Sequence, residues 1–267
     1  MKINLVKLVF FSPTGTTKAI VQTIANALDY KNVELIDITK PFARQQVLRT
    51  KEDDLLIVAL PVYMGRLPSL LSGWLHSIKA ENTAAVCIAM YGNRAYDNAL
   101  LELKDVLTSC GCKPFAGAAY IGEHSFSSKE LPSSVGRPDA VDLNHAKLFG
   151  RKIQEKLLSI SSIDEITNLI VPGNIPYGGV TDLWKIDFIS VSEACTQCGI
   201  CAEGCPTGAI DNVNSTLIDI QKCTLCCACI KKCPQNAKTI KPGLMKEAAI
   251  RCTKFIQRKE PEYYFSN

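Results

Sequence analysis

Along the first 160 positions, apolar residues come in short unbroken blocks separated by amphipathic stretches. The blocks near 5–11, 32–38, 54–60, 84–90 and 115–121 predict strands. The stretches near 15–28, 69–79, 95–110 and 138–160 carry the three-to-four spacing of helices. Strands that are apolar at nearly every position are buried on both faces, so this alternation predicts a five-stranded parallel sheet, doubly wound, with helices on each side. Ligands of such α/β sheets bind beyond the carboxyl ends of the strands.

Beyond residue 160 the pattern changes. A linker over 161–190 mixes Ser, Pro and Gly with Tyr177 and Trp184, which suggests a segment packed on a domain and not a free tether. A cysteine-rich unit follows over 191–241, and a tail over 242–267 whose lysines and arginines read as the solvated face of a short helix. With 267 residues, 47% of them hydrophobic, the chain can build one ordinary core and one small one.

Eight of the thirteen cysteines form a regular pattern between Cys195 and Cys233. Cys195-x2-Cys198-x2-Cys201-x3-Cys205-Pro206 is repeated as Cys223-x2-Cys226-x2-Cys229-x3-Cys233-Pro234, displaced by 28 residues (195 to 223). Ala209 and Ala237 repeat with it, so the unit is an internal duplication with a pseudo-twofold axis. Three thiolates on one tight loop cap three irons of a cubane, and the fourth iron needs a ligand from elsewhere. Cys195, Cys198, Cys201 and Cys233 are therefore expected to hold one [4Fe–4S] cluster, and Cys223, Cys226, Cys229 and Cys205 a second. Structural zinc also takes four thiolates, but it favours paired C-x2-C knuckles and leaves the third and fourth cysteine of each run without a role. The spacing resembles bacterial two-cluster ferredoxins, an α+β fold. Cys87, Cys110, Cys112, Cys227 and Cys252 carry no assigned function, since a free cysteine is ordinarily a small buried hydrophobe.

The first strand runs into Ser12-Pro13-Thr14-Gly15-Thr16-Thr17 at the start of a helix, which places hydroxyls and free N–H groups at a positive helix terminus. Neither G-x-G-x-x-G nor a Walker frame is present, so a single terminal phosphate fits better than a dinucleotide, and an ordinary N-cap is the alternative. After the third strand comes Pro61-Val62-Tyr63-Met64-Gly65-Arg66-Leu67, and after the fourth Tyr91-Gly92-Asn93-Arg94-Ala95-Tyr96-Asp97. These three loops resemble those of flavodoxins. The resemblance implies FMN, with Ser12, Thr14, Gly15, Thr16 and Thr17 at its phosphate. It places Pro61, Val62, Tyr63, Met64, Gly65, Arg66, Tyr91, Gly92, Asn93, Tyr96 and Asp97 around its ring, with Tyr63, Met64 and Tyr96 in contact. It also implies that Gly65 lets a peptide turn over toward the flavin and that Arg66, where clostridial flavodoxins carry an acid, raises the second flavin potential.

With the clusters included, nearly the whole chain is similar to the family of flavodoxin-domain proteins fused to a two-cluster ferredoxin. The likeness continues through Gly122-Glu123-His124-Ser125-Phe126-Ser127, Gly136-Arg137-Pro138-Asp139 and Pro172-Gly173-Asn174. It implies a flavodoxin-like FMN domain over 1–160, from which a fragment truncated near 160 should still bind FMN.

The formal charge of +4 does not point to nucleic acid, because two thiolate-bound clusters and a flavin phosphate together carry about −6 and reverse its sign. No run approaches the ~18 apolar residues of a membrane span, and no export signal is evident, so a cytoplasmic protein is expected. A flavin handles two electrons and each cluster one. The expected function is electron transfer between FMN and an external redox partner protein, a ferredoxin, reductase or oxidoreductase, through the clusters. The alternative is a flavoenzyme acting on a small substrate with the clusters as relay. His76, His124 and His145 are isolated, and no catalytic set stands out.

Overall fold

The computed structural model describes residues 1–179 and 184–267; positions 180–183 of the expected linker lie outside the described residues. Its elements, in chain order, begin with β1 (Leu5–Phe10), α1 (Thr16–Ala27), β2 (Val33–Asp37), β3 (Arg49–Thr50), β4 (Asp54–Pro61), α2 (Ser72–His76) and β5 (Lys79–Ala80). There follow β6 (Thr83–Tyr91), α3 (Ala99–Ser109), β7 (Cys112–Ile121) and α4 (Ala140–Ser159). The last part holds β8 (Ile189–Val191), α5 (Ile200–Glu203), α6 (Ala228–Lys231), β9 (Lys238–Ile240), α7 (Leu244–Cys252) and β10 (Glu262–Phe265).

Five parallel strands lie in the order β2-β1-β4-β6-β7, the 2-1-3-4-5 order of the flavodoxin-like doubly wound fold. Alternation along each strand feeds two cores. Val6, Leu8 and Phe10 of β1 face α1 and α4, while Val9 and Phe11 join the side covered by α2 and α3; Leu55 and Ile57 part from Leu56 and Val58 in the same way along β4. Burial on both faces is why the strands read as unbroken apolar runs. The long helix α4 starts where Asp139 accepts from the N–H groups of Val141 and Asp142 in a capping box.

Two helices are shorter than the periodicity predicts. Only 72–76 of the expected 69–79 is α-helical; a 3-10 turn at 69–71 precedes it, and Ser77 Oγ donates to the Trp74 carbonyl where it stops. The expected helix from 95 begins at Ala99 because Asp97 adopts a left-handed conformation, φ 44°.

The sheet does not end with the first 160 residues. The tail returns, and β10 pairs antiparallel with β7, Tyr263 opposite Ala118 and Phe265 opposite Ala116. The small side chains of β7 leave room for these aromatics. Tyr263 stacks on Phe149 with ring centroids 5.6 Å apart and Phe265 lies 5.7 Å from the same ring, while Tyr264 and Glu262 both bond the Tyr96 hydroxyl. The expected linker contributes Ile163, Leu169 and Val171 to the two cores, and Tyr177 donates to Asp105; Trp184 is exposed. Residues of the linker, and of a tail expected to be a solvated face, thus complete the flavodoxin-like core.

The cysteine-rich unit is a small α+β body. β8 and β9 pair antiparallel, α5 and α6 each follow a left-handed residue, Gly199 at φ 76° and Cys227 at φ 54°, and Phe188, Ile189, Ile210, Leu225 and Met245 fill its core. Among the described residues no helix is long and apolar enough to cross a membrane.

Candidate functional site

At the carboxyl ends of the strands a cleft is lined by Pro13, Thr14, Thr16, Thr17, Pro61, Val62, Tyr63, Met90, Tyr91, Gly92, Gly122, Glu123, His124, Ser125 and Cys226. Its floor is the start of α1. Gly15, the N-cap, has φ 98° and no side chain to cap the helix, and Ser12 Oγ accepts only the third amide, that of Lys18, at 3.0 Å. The first-turn amides and three threonine hydroxyls thus suit a terminal phosphate. Gly92 is required sterically, since a Cβ there would collide with the His124 ring.

Half of the flavin-site residues expected from sequence line this cleft: Thr14, Thr16, Thr17, Pro61, Val62, Tyr63, Tyr91 and Gly92. Ser12 and Gly15 shape its floor from behind. Met64 and Gly65 form the tip of a tight turn, φ 53° and 83°, closed by mutual backbone bonds of Tyr63 and Arg66; Met64 is exposed. The Gly65 carbonyl accepts from the Asn98 N–H at 3.2 Å, so its peptide is already engaged.

Four more of the expected residues lie outside the cleft lining. Arg66 grips Glu102 through two bonds of 2.8 Å and lies 4.8 Å from the Tyr177 ring, facing a groove other than the cleft. Tyr96 is buried against Tyr91 and the tail, where its hydroxyl meets Glu262 and Tyr264, so it braces the sheet behind the cleft. Asn93 and Asp97 turn elsewhere too. Asn93 donates to the carbonyls of Phe255 and Gln257 in the tail, and Asp97 pairs with Arg94.

Sequence reasoning gives no role to Glu123 and Ser125 and leaves His124 only as an isolated residue on the ligand face. His124 Nδ1 accepts from the Phe126 N–H at 3.1 Å, and Nε2 lies 3.5 Å from Cys252 Sγ. Glu123 pairs with Lys231 of the cysteine-rich unit, and Arg44 donates to the Pro206 carbonyl at 2.6 Å, which ties that unit to the sheet. Burial, with Lys231 and Arg94 adding to it, pushes the His124 pKa down to about 4. An imidazole held neutral in the native state but titrating near 6.5 when unfolded contributes stability that is whole above about pH 6.5. That stability is lost as pH falls toward 4, by up to about 3 kcal/mol. Urea unfolding of the full chain should therefore show a midpoint that drops between about pH 7 and about pH 5, and His124→Gln should flatten the slope. An equal slope in both proteins would remove His124 as its source; His145, also pushed down by burial, adds a smaller slope that remains.

The eight motif cysteines stand around two spaces. Cys195, Cys198, Cys201 and Cys233 line one, and Cys205, Cys223, Cys226 and Cys229 the other. Among the described residues no three or more His, Cys, Asp or Glu lie close enough to hold a single metal ion. The backbone amide of Ala209 donates to Cys205 Sγ and that of Ala237 to Cys233 Sγ, both at 3.3 Å, so the two halves repeat this contact. Burial pushes the Cys229 thiol up to about 12 and that of Cys226 higher still, so thiolates there would need cations beside them. Cys226 lines both its own space and the cleft, and Tyr63 lies against the same cysteine loop.

A 4Fe–4S binding domain model matches residues 189–211. No curated protein matches the chain. Solved structures similar to it include a flavodoxin from the domain Archaea, 16% identical with a TM-score of 0.41, covering 59% of this chain and 99% of that one. A flavodoxin from Streptococcus pneumoniae TIGR4 is 20% identical, TM-score 0.39, over 57% and 99% of the two chains. A WrbA-like flavodoxin from Agrobacterium tumefaciens is 16% identical, TM-score 0.36, over 59% and 99%. The fold rests on the strand order and not on these likenesses. The chain is a fusion of a flavodoxin-like domain and a 4Fe–4S binding domain.

Proposed function

We propose that this protein transfers electrons between FMN, held in the cleft, and an external redox partner through two [4Fe–4S] clusters. The observation that carries the reading is Cys226, which lines the cleft and one cysteine-ringed space at once. A group in the cleft and a cluster on Cys226 would be near neighbours, with no domain movement needed between them. The α1 terminus and the hydroxyls of Thr14, Thr16 and Thr17 would hold the phosphate, and Val62, Tyr63, Tyr91 and His124 would border the ring. FMN supplies the exchange of two-electron for one-electron chemistry. This chain's own residues orient it, and the cysteine loop closes one side of the cleft, which favours a relay over an open substrate pocket.

Protein purified without oxygen should contain one FMN, about eight irons and about eight sulfides, and should accept about four electrons in a reductive titration followed by absorbance and EPR. Flavin that reduces and reoxidises while the clusters stay out of equilibrium with it would overturn the relay.

A further inference from the structure

Of the positions buried in both halves of the cysteine repeat, one differs. Ile210 follows Ala209 in the first half and is 4% exposed; 28 residues on, after Ala237, stands Lys238, 2% exposed. Lysine is almost never fully buried without a charged partner, because an ammonium loses its hydration there. Among the described residues the Lys238 ammonium has one partner, the Ser215 carbonyl at 2.6 Å, and no carboxylate. Its side chain lines the space ringed by Cys195, Cys198, Cys201 and Cys233. Ser215 lines the same space, is 2% exposed, and its hydroxyl has no hydrogen-bond partner. A cation without a carboxylate partner and a hydroxyl without any protein partner therefore border one cysteine-ringed space. The other has no cation on its lining, where Phe188, Ile189, Ile210 and Ile218 predominate beside the thiols.

We propose that Lys238, with Ser215, is the counter-charge of the cluster on Cys195, Cys198, Cys201 and Cys233, and makes that cluster the higher-potential member of the pair. The inference rests on the two-cluster reading above. A reduced cluster carries one more negative charge than an oxidised one, so a buried cation beside it stabilises the reduced form and raises its potential. One electron then leaves the reduced cluster on Cys205, Cys223, Cys226 and Cys229, which returns to its oxidised form, and enters the cluster beside Lys238. The field of Lys238 also reaches Cys229, where it opposes the effect of burial on that thiol. Electrons entering beside the cleft at Cys226 would thus drain to the cluster whose ligand Cys198 is exposed, where a partner can collect them.

The test is an EPR-monitored redox titration of the full chain, loaded and handled without oxygen, with iron counted in every sample. The parent should show two separated cluster waves. Lys238→Met should lower the higher one enough to change the equilibrium constant between the clusters at least tenfold, about 59 mV for a one-electron couple. Lys238→Arg should restore most of the separation, and Ser215→Ala should shrink it in the same direction. If Lys238→Met loads poorly, Lys238→Ile, which copies Ile210 of the first half, carries the same expectation. Full iron with unmoved waves, or a fall in the lower wave alone, overturns the assignment of Lys238. A parent holding fewer than two clusters overturns the reading beneath it instead.

Discussion

A fragment ending near residue 160 should fail to fold as a stable flavin-binding domain, although it contains all five parallel strands and every loop of the cleft but the cysteine loop at Cys226. It lacks β10, and with it the pairing of Tyr263 and Phe265 over Ala118 and Ala116 and their contacts with Phe149. It also lacks Ile163, Leu169 and Val171, at 3%, 1% and 8% exposure. Each buried aliphatic side chain contributes about 1.5–3 kcal/mol, and each aromatic pair about 0.5–1.5 kcal/mol beyond its area. Together they approach the ~5–15 kcal/mol that holds an ordinary domain. Truncation further uncovers the β7 edge, an unpaired strand open to aggregation. Thermal unfolding by circular dichroism should give a broad or absent transition for 1–160, and a tighter one when residues 256–267 are restored through a flexible linker from 171. A cooperative melt of 1–160 within a few degrees of the full chain would show that the tail strand is dispensable.

The reason this was hidden in the sequence is physical. β4 and β6 are buried along nearly their whole length on both faces, so their sequences must be apolar runs, and those runs can be read directly. β10 is four residues on a sheet edge, half-buried, and follows a stretch from Lys254 to Glu260 that is exposed throughout. Its only mark is the aromatic sequence Tyr263-Tyr264-Phe265, too short to separate from a loop. The strand-end loops are legible as places where a ligand binds, because topology fixes where strands end. Which side chains enter the cleft is not. Arg66 is drawn aside by Glu102, a carboxylate 36 residues away, and Tyr96 by Glu262, 166 residues away. Nothing local to either residue announces such partners.

The cysteine framework is the opposite case, since its chemistry is written into spacing, and this makes its sharpest consequence testable. Cys205→Ala should damage the cluster bound by Cys223, Cys226 and Cys229, not the one bound by its sequence neighbours Cys195, Cys198 and Cys201. The chain from Cys201 to Cys205 passes through the end of α5, and the structure carries Cys205 to the far space, where the Ala209 amide meets its sulfur at 3.3 Å. Cys226 in that far space also borders the cleft. Loss of the fourth ligand there should therefore have two effects at once. Up to about half the iron should be lost, or the EPR of that cluster should change to a three-iron form. The flavin, still bound and still reducible by an outside donor, should also stop passing electrons promptly to the remaining cluster, because the near member of the relay is gone. Cys233→Ala is the mirror variant: it should spare the first transfer from flavin and damage the distal cluster beside Lys238. Stopped-flow reduction of the flavin, read at flavin and cluster wavelengths in the two variants, separates these outcomes. If Cys205→Ala leaves flavin-to-cluster transfer intact and Cys233→Ala abolishes it, each run of cysteines holds its own cluster and the interleaved assignment is wrong.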